Sequence, residues 1–228
     1  MRSLTGIFAI ALPLALTACS EEQAEAPAAP PAKTETAPPA AAPDSATADE
    51  AKTADDEASV QAEPFFAQMV LQDVTFQVES PNDSSINQVA IRAEGPEGPI
   101  GQMEAEADGT ITNVEIEDLN ADGYPEIYVY VTSAGSGSYG SLIAYASNQN
   151  KSLSQIYLPS IEDDPAISKG YMGHDEFAVG EATFLRRFPI YKDGDINAQP
   201  TGGTRQIQYK LEAGEAGWIL RQDRVVEF

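Results

Sequence analysis

The sequence contains one cysteine and one histidine among 228 residues, and both shortages exclude classes of function. Because Cys19 has no partner, no disulfide can form within the chain, and the folded part must be stable through its core alone. His174, in the segment KGYMGHDEF, would have to act as the sole imidazole base. A lone histidine in a loop is far more often structural or solvated than catalytic, and no cluster of metal ligands accompanies it. The sequence therefore predicts a protein that is not an enzyme.

Positively charged residues are also scarce. The chain has 13 lysines and arginines against 36 aspartates and glutamates, for a net charge of −23. From residue 64 onward the imbalance persists, with 10 basic against 25 acidic side chains. Nucleic acid and anionic lipid are repelled by such a surface, whereas a basic protein is attracted to it. We therefore expect a basic protein as the partner and no binding of nucleic acid.

No long apolar run follows residue 19, and the run before it is too short to cross a bilayer. Arg2 precedes the apolar stretch LTGIFAIALPLAL, whose last leucine begins the motif LTAC at residues 16–19. This arrangement is typical of a bacterial lipoprotein signal peptide over residues 1–18, with cleavage before Cys19 and acylation of that cysteine. An ordinary secretory signal is the alternative. Ser20, in place of an aspartate, favours sorting to the outer membrane, so we expect a lipid anchor at its periplasmic face.

Residues 20–63 contain no aromatic side chain and differ sharply in composition from the rest. They include 15 alanines, 6 prolines and 11 acidic residues against 2 lysines. Such a segment cannot bury enough apolar surface to offset the entropy lost on ordering, and its prolines interrupt any helix. We therefore predict that residues 19–63 form a disordered acidic tether between the acylated Cys19 and a domain of residues 64–228.

Strand patterns dominate residues 64–228, and no stretch shows sustained helical periodicity. In VLQDVTFQV, interpreted as one strand, Val70, Val74, Phe76 and Val78 share one face, and the same alternation recurs in EIYVYV and IQYKL. Turn signals such as ADGT, NADG and KDGD separate these segments, and EAGEAG before WILRQDRVVEF indicates a terminal hairpin. We predict an all-β domain, an antiparallel β-sandwich or barrel of about eight strands.

The segment DLNADGYPE, residues 118–126, has the spacing that begins a calcium-binding loop. Its candidate metal ligands are Asp118, Asn120, Asp122 and Glu126. However, Val129 stands where an EF-hand places its bidentate glutamate, and no helix is indicated on either side. Glu126 would have to replace that glutamate, as in calcium loops carried on β-structure. The alternative is a tight turn whose Asp and Asn side chains bond to backbone N–H groups, with no cofactor, and we favour this turn.

A neutral, glycine-rich stretch, SAGSGSYGS, interrupts this acidic sequence between EIYVYV and SLIAYA. Residues 135–140 formally satisfy the dinucleotide motif G-x-G-x-x-G, but the repeated strand–helix units that accompany this motif are missing. Neither Ser136 nor Ser138 has glycines at both second neighbours, so the stretch is not a nucleophile elbow. Neither motif therefore explains the stretch.

The segment DLNADGYPEIYVYVTSAGSGSYGSLIAYASN, together with RRFPIYKDGD and TGGTRQIQYKLEAGEAGW, resembles the bacterial periplasmic inhibitors of invertebrate-type (I-type) lysozymes. In that family an S-G-x-Y loop is the inhibitory element, and the pattern is intact at Ser136, Gly137, Ser138 and Tyr139. The resemblance implies a β-rich, non-catalytic envelope protein, soluble or lipid-anchored, whose partner is a lysozyme. The sequence leaves open whether it acts as a monomer or a homodimer.

The chemistry of the loop agrees with this role. A glycosidase cleft presents two carboxyl groups, one protonated and one ionised. A segment that enters it must be narrow, must carry no negative charge and must offer hydroxyl donors, which Ser136 and Tyr139 supply. We therefore predict that the loop inserts into the cleft of a basic, I-type lysozyme. The competing hypothesis is a calcium-stabilised β-module of the envelope that binds glycan or another envelope protein.

Overall fold

The computed structural model describes residues 63–228 of the chain. The predicted signal peptide over residues 1–18, the anchor at Cys19 and the predicted tether up to residue 62 lie outside the described residues, so all three stay predictions. No helix within residues 63–228 combines the length and the apolar character that crossing a membrane would need.

Strands make up most of residues 63–228, which confirms the all-β prediction. The twelve strands of this part are β1 Phe65–Leu71, β2 Val74–Ser80, β3 Ile86–Gly95, β4 Gly98–Asp108, β5 Thr110–Glu117, β6 Glu126–Thr132, β7 Gly140–Asn148, β8 Ser152–Tyr157, β9 Glu176–Gly180, β10 Thr183–Pro189, β11 Thr204–Ala213 and β12 Trp218–Glu227. A 3-10 turn at Ile161–Asp163 and a single-turn helix, α1 at Pro165–Ser168, follow β8.

The number of strands exceeds the predicted eight, in part because VLQDVTFQV is not one strand. A two-residue turn at Gln72 and Asp73, with φ of 50° and 61°, separates β1 from β2. The turn contains neither glycine nor asparagine, and Asp73 alone, without a glycine beside it, is a weak turn signal. Val70 consequently lies 63% exposed on β1 while Val74 on β2 is buried, so the prediction that they share a face is wrong.

Strands β1 to β4 form a four-stranded antiparallel sheet in chain order. One face of this sheet packs on the outside of strands β5 to β7. Their shared core is formed by Val74, Phe76, Val78, Val89, Ile91, Val114, Ile127, Val129 and Val131, among others. Each such side chain contributes about 1.5–3 kcal/mol when fully buried, so a core of this size stabilises the fold without a disulfide.

The other eight strands form one sheet in the order β5-β6-β7-β8-β12-β11-β10-β9. All neighbours are antiparallel except β8 and β12, which run parallel where Ile156 pairs with Trp218. The two edges approach each other, because Val179 N on β9 donates to Glu115 Oε2 on β5 at 2.9 Å. The sheet is therefore a nearly closed barrel, and the predicted terminal hairpin is present as β11 and β12.

Strand β6 is buried along almost its whole length because it faces two cores. Ile127, Val129 and Val131 point to the core shared with the first sheet. Tyr128 and Tyr130 point into the barrel, where their rings pack against Phe184. This central strand is the fixed element from which both loops of interest emerge: residues 118–125 precede it, and residues 133–139 follow it.

Candidate functional site

The neutral loop, defined here as residues 133–139, connects β6 to β7 and is closed at its base by hydrogen bonds. Ser133 N donates to Tyr139 O at 2.9 Å, and Tyr139 N donates to Ser133 Oγ at 3.0 Å. Within the loop Ser138, at φ 42°, donates from its N–H to Gly135 O at 3.3 Å. The predicted inhibitory residues, positions 136 to 139, therefore lie together on one compact hairpin tip.

Tyr139 is the bulky side chain of this tip, and 47% of it is exposed. One edge of its ring meets Tyr171, with ring centroids 5.6 Å apart and planes inclined by 76°. Tyr171 packs in turn against Phe188 on β10, at 4.8 Å and 70°. Edge-to-face contacts of this kind fix ring orientation, so Tyr139 presents its remaining surface outward from an aromatic stack.

A second segment, residues 170–175, lies directly against the neutral loop. His174 N donates to Gly137 O at 2.8 Å. The approach requires glycine on both sides: a Cβ on Gly173, which has φ +88°, would lie 2.0 Å from Gly137 O. A Cβ on Gly137 would lie 2.3 Å from the Tyr139 ring. The glycine of the S-G-x-Y pattern is therefore needed to seat the tyrosine.

The loop is also attached to a distant asparagine. Asn197 donates through Nδ2 to Ser136 O, and its Oδ1 lies 2.9 Å from Nε2 of His174. Tyr191 donates its hydroxyl to the backbone carbonyl of Asn197 at 2.8 Å and stacks on the His174 ring. The lone histidine thus contacts the neutral loop, Asn197 and Tyr191.

A buried ion pair holds the point where β7 leaves the loop. Arg186 Nε lies 2.7 Å from Asp175 Oδ1, and the Asp175 side chain is fully buried. Asp175 Oδ2 accepts from Gly140 N at 2.7 Å and from the Tyr171 hydroxyl at 2.6 Å. Burial raises the pKa of Tyr171, so its hydroxyl stays protonated and remains a donor. Each charge of the pair is thereby compensated, as a buried pair requires.

Four carbonyl oxygens of the neutral loop are bonded within the protein, those of Ala134 and Ser138 accept no bond from residues 63–228, and most of the donors of the loop are free. The carbonyl oxygens of Gly135, Ser136, Gly137 and Tyr139 accept from Ser138 N, Asn197 Nδ2, His174 N and Ser133 N. By contrast, the N–H groups of residues 134–137 and the hydroxyls of Ser136, Ser138 and Tyr139 donate to no group within residues 63–228. The surface offered to a partner is therefore rich in donors and free of charge.

A groove of about 500 Å³ runs beside the tip, between the neutral loop and the segment after β8. Its lining includes Tyr139, Leu142, Gln155, Tyr157, Glu162 and Tyr171. Tyr157 is 55% exposed. The groove thus adds aromatic surface beside Tyr139, and its lining includes the acidic Glu162 and the basic Arg186.

The acidic loop, residues 118–125, lies at the opposite end of β6. Its backbone is held by the side-chain bonds that a tight turn predicts. Asp118 accepts from Asp122 N at 3.0 Å and from Gly123 N at 2.9 Å. Asn120 Oδ1 accepts from Asp122 N at 3.0 Å, and Asp122 Oδ1 accepts from Tyr124 N at 2.9 Å.

The fourth candidate ligand, Glu126, bonds to the turn through only one of its two carboxylate oxygens. The residue is 1% exposed; its Oε2 accepts from Leu119 N at 2.8 Å, whereas its Oε1 has no partner within residues 63–228. Burial raises the pKa of Glu126 to about 8, and the charges of Asp118 and Asp122 act in the same direction. One carboxylate oxygen from each of these three residues lies within 4.8 Å of the other two.

Sequence reasoning found the tip of the neutral loop but missed the residues that hold it in place, namely Tyr171, Asp175, Arg186 and Asn197. They come from three separate segments, and none belongs to a recognisable motif. The one available signal was the pair of glycines around His174 in KGYMGHDEF, since glycines in a loop mark positive φ or close backbone approach.

Comparison with known proteins shows that this sequence is similar to one protein family and to two solved structures. The sequence model of the family described as periplasmic lysozyme inhibitor of I-type lysozyme (PliI) matches residues 100–167, which contain both loops. The structure of Aeromonas hydrophila PliI in complex with Meretrix lusoria lysozyme is 31% identical, covering 40% of this chain and 80% of that chain, with a TM-score of 0.35. The structure of PliI-Ah from the same species is 31% identical over 40% of this chain and 84% of that chain, with a TM-score of 0.36. No curated protein matches the chain.

Proposed function

The chain belongs to the family of periplasmic lysozyme inhibitors of I-type lysozyme, and we propose that it acts by inserting the tip of its neutral loop into the active-site cleft. Membership follows from 31% identity over 80% and 84% of two family members. The protein is thus a lysozyme inhibitor, and its family consists of inhibitors rather than enzymes. The competing hypothesis of a glycan-binding module finds no support in these relatives.

The observation that carries the insertion proposal is the polarity of the tip. A glycosidase cleft contains two carboxyl groups, of which at least one is ionised and acts as an acceptor. A carbonyl oxygen pointing at an ionised carboxylate would repel it, whereas N–H and O–H groups form charge-assisted hydrogen bonds with it. Ser136 O and Gly137 O are both occupied inside the protein, and the Ser136 and Tyr139 hydroxyls are free to donate. The tip therefore matches the charge that it would meet.

The rigidity of the tip supports the same proposal. Ordering a flexible loop on binding costs about 0.5–1.5 kcal/mol for each immobilised side chain, which reduces the affinity. Here the backbone is already fixed by His174, Asn197 and the Asp175–Arg186 pair. The loop consequently enters the cleft with little further loss of entropy.

The charge of the body supports a basic lysozyme as the partner. Residues 64–228 include 25 acidic against 10 basic side chains, so a positively charged enzyme is drawn toward the protein. The groove beside Tyr139 gives the second contact surface, with Tyr157 and Glu162 on its wall. The neutral tip would then bind the acidic cleft while the acidic surroundings face the basic surface of the enzyme.

Inhibition of bacterial cell-wall lysis tests the proposal, with I-type, chicken-type and goose-type lysozymes in parallel. We expect inhibition of the I-type enzyme and a loss of roughly thirtyfold in Tyr139→Ala, because truncating a central aromatic contact costs about 2 kcal/mol or more. Tyr139→Phe should lie between the two. Phe66→Ala is the matched control, since it removes a 62% exposed ring from β1. Wild-type inhibition by a correctly folded Tyr139→Ala variant would show that the loop is not the contact.

We further propose that the protein is held at the periplasmic face of the outer membrane through lipid on Cys19. The motif LTAC supports this location, and the periplasmic character of the family agrees with it. Cys19→Ser should leave the protein unprocessed, or released from the membrane fraction after a salt wash. If the variant is processed and still sediments with the outer membrane, the anchor lies elsewhere.

A further inference from the structure

Three carboxylates converge at the start of β6, on the side of the molecule away from the neutral loop. They belong to Asp118, Asp122 and Glu126, and one oxygen of each lies within 4.8 Å of the other two. None of the salt bridges formed within residues 63–228 involves any of the three. The cluster therefore lacks a basic side chain that would offset its negative charge.

Glu126 distinguishes this cluster from an ordinary acidic turn. The turn is shaped by bonds that Asp118, Asn120 and Asp122 accept from backbone N–H groups, and Glu126 Oε2 accepts one more from Leu119 N. Glu126 follows the turn, is 1% exposed, and keeps Oε1 without a partner. A buried carboxylate oxygen with no donor is costly, and the bonds of the turn leave Oε1 without one. The unpartnered carboxylate points to a ligand that is positively charged.

The spacing of the oxygens fits one cation in particular. Calcium binds oxygens at about 2.3–2.6 Å, so ligands on opposite sides of the ion lie up to about 5 Å apart. Magnesium keeps several of its waters and is usually bound through one or two carboxylates, whereas calcium takes six to eight oxygens in a flexible geometry, which suits a cluster of three carboxylates and an amide oxygen. We propose that Asp118, Asp122 and Glu126, with the side-chain oxygen of Asn120, bind a calcium ion.

The proposed ion would stabilise a junction rather than act in inhibition. Gln72, in the turn between β1 and β2, donates to Asp118 Oδ2 at 2.8 Å and joins the first sheet to the acidic loop. The seven residues of β6 place the acidic loop roughly 20 Å from the neutral loop. Calcium should therefore raise thermal stability and leave the tip unchanged.

Thermal unfolding of the purified protein, stripped of metal with chelator, tests the proposal. Calcium at about a hundred times its dissociation constant should raise the melting temperature by roughly 5–10 °C, because it binds the folded state alone. Magnesium at the same concentration should give a smaller shift. Asp122→Asn, at an exposed position, and Glu126→Gln, which keeps the side-chain volume, should both abolish the calcium shift. Glu104→Gln, at an exposed position on β4, should retain it.

Two outcomes would overturn the proposal. The first is a wild-type protein whose melting temperature does not respond to calcium and which shows no calcium binding by calorimetry. The second is an unchanged calcium shift in both Asp122→Asn and Glu126→Gln, which would place the ion elsewhere. Lysozyme inhibition, measured below the melting transition, should stay within twofold of wild type in both variants. This readout separates failure of the calcium site from failure of the inhibitory loop.

Discussion

The two loops at the ends of β6 obtain their shape in different ways. The acidic loop accepts most of its hydrogen bonds from its own residues, and the outside donors found within residues 63–228 are Gln72 and the backbone N–H of Ser147. The neutral loop is closed by two bonds of its own but is otherwise held by His174, Asn197 and Asp175. A loop that contains several side-chain acceptors can therefore fix its own backbone. A loop with few such acceptors needs hydrogen bonds from distant parts of the fold.

The largest effect is expected from a variant that removes the buried ion pair supporting the neutral loop. Asp175→Ala leaves Arg186 buried without its partner, which should lower the free energy of unfolding by about 3–5 kcal/mol and release the start of β7. Chemical denaturation and the lysis assay would measure both effects. The control is Arg221→Ala, which breaks the exposed pair with Glu212 and should cost only about 0–1 kcal/mol. Equal losses in the two variants would contradict the role assigned to Asp175.

A second variant makes the neutral loop resemble the acidic one. Ser136→Asp sets a negative charge against the carboxylates of the lysozyme cleft, and like charges across an interface cost on the order of a few kcal/mol. Inhibition should weaken by roughly tenfold to a hundredfold relative to Ser136→Asn, the neutral variant of the same size. Titration of the I-type lysozyme measures the ratio. If the two variants inhibit equally, the tip does not face a charged cleft.

A smaller effect is expected where one distant contact is removed. Asn197→Ala frees the carbonyl of Ser136 and exposes an acceptor at the tip, which should weaken inhibition by roughly fivefold, about 1 kcal/mol. Its melting temperature should change by only a few degrees. Asn113→Ala, at an exposed position on β5, serves as the control. An Asn197→Ala variant with full inhibition would mean that the acceptors of the tip do not need to be hidden.

Local patterns in the sequence predicted the features that depend on neighbouring residues. Alternation indicated β6, EAGEAG indicated the β11–β12 hairpin, and the spacing of Asp118 to Asp122 indicated the turn. The turn at Gln72–Asp73 was not predicted because it lacks glycine and asparagine, and Gln72 is not a residue that usually takes positive φ. The burial of Glu126 was also not predicted, because it results from the packing of β6 between two cores. The Asp175–Arg186 pair joins residues that no short pattern relates.

The position of β12 has a consequence for the order in which the molecule folds. This strand lies between β8 and β11, and its parallel pairing joins Trp218 to Ile156 from much earlier in the chain. Until β12 is synthesised, β8 and β11 are both open edges, and no strand pairing joins β5–β8 to β9–β11. Contacts between residues so far apart form slowly, since a long loop must close before they form. Pairing of β12 with both neighbours therefore completes the eight-stranded sheet, and formation of the native barrel depends on this strand.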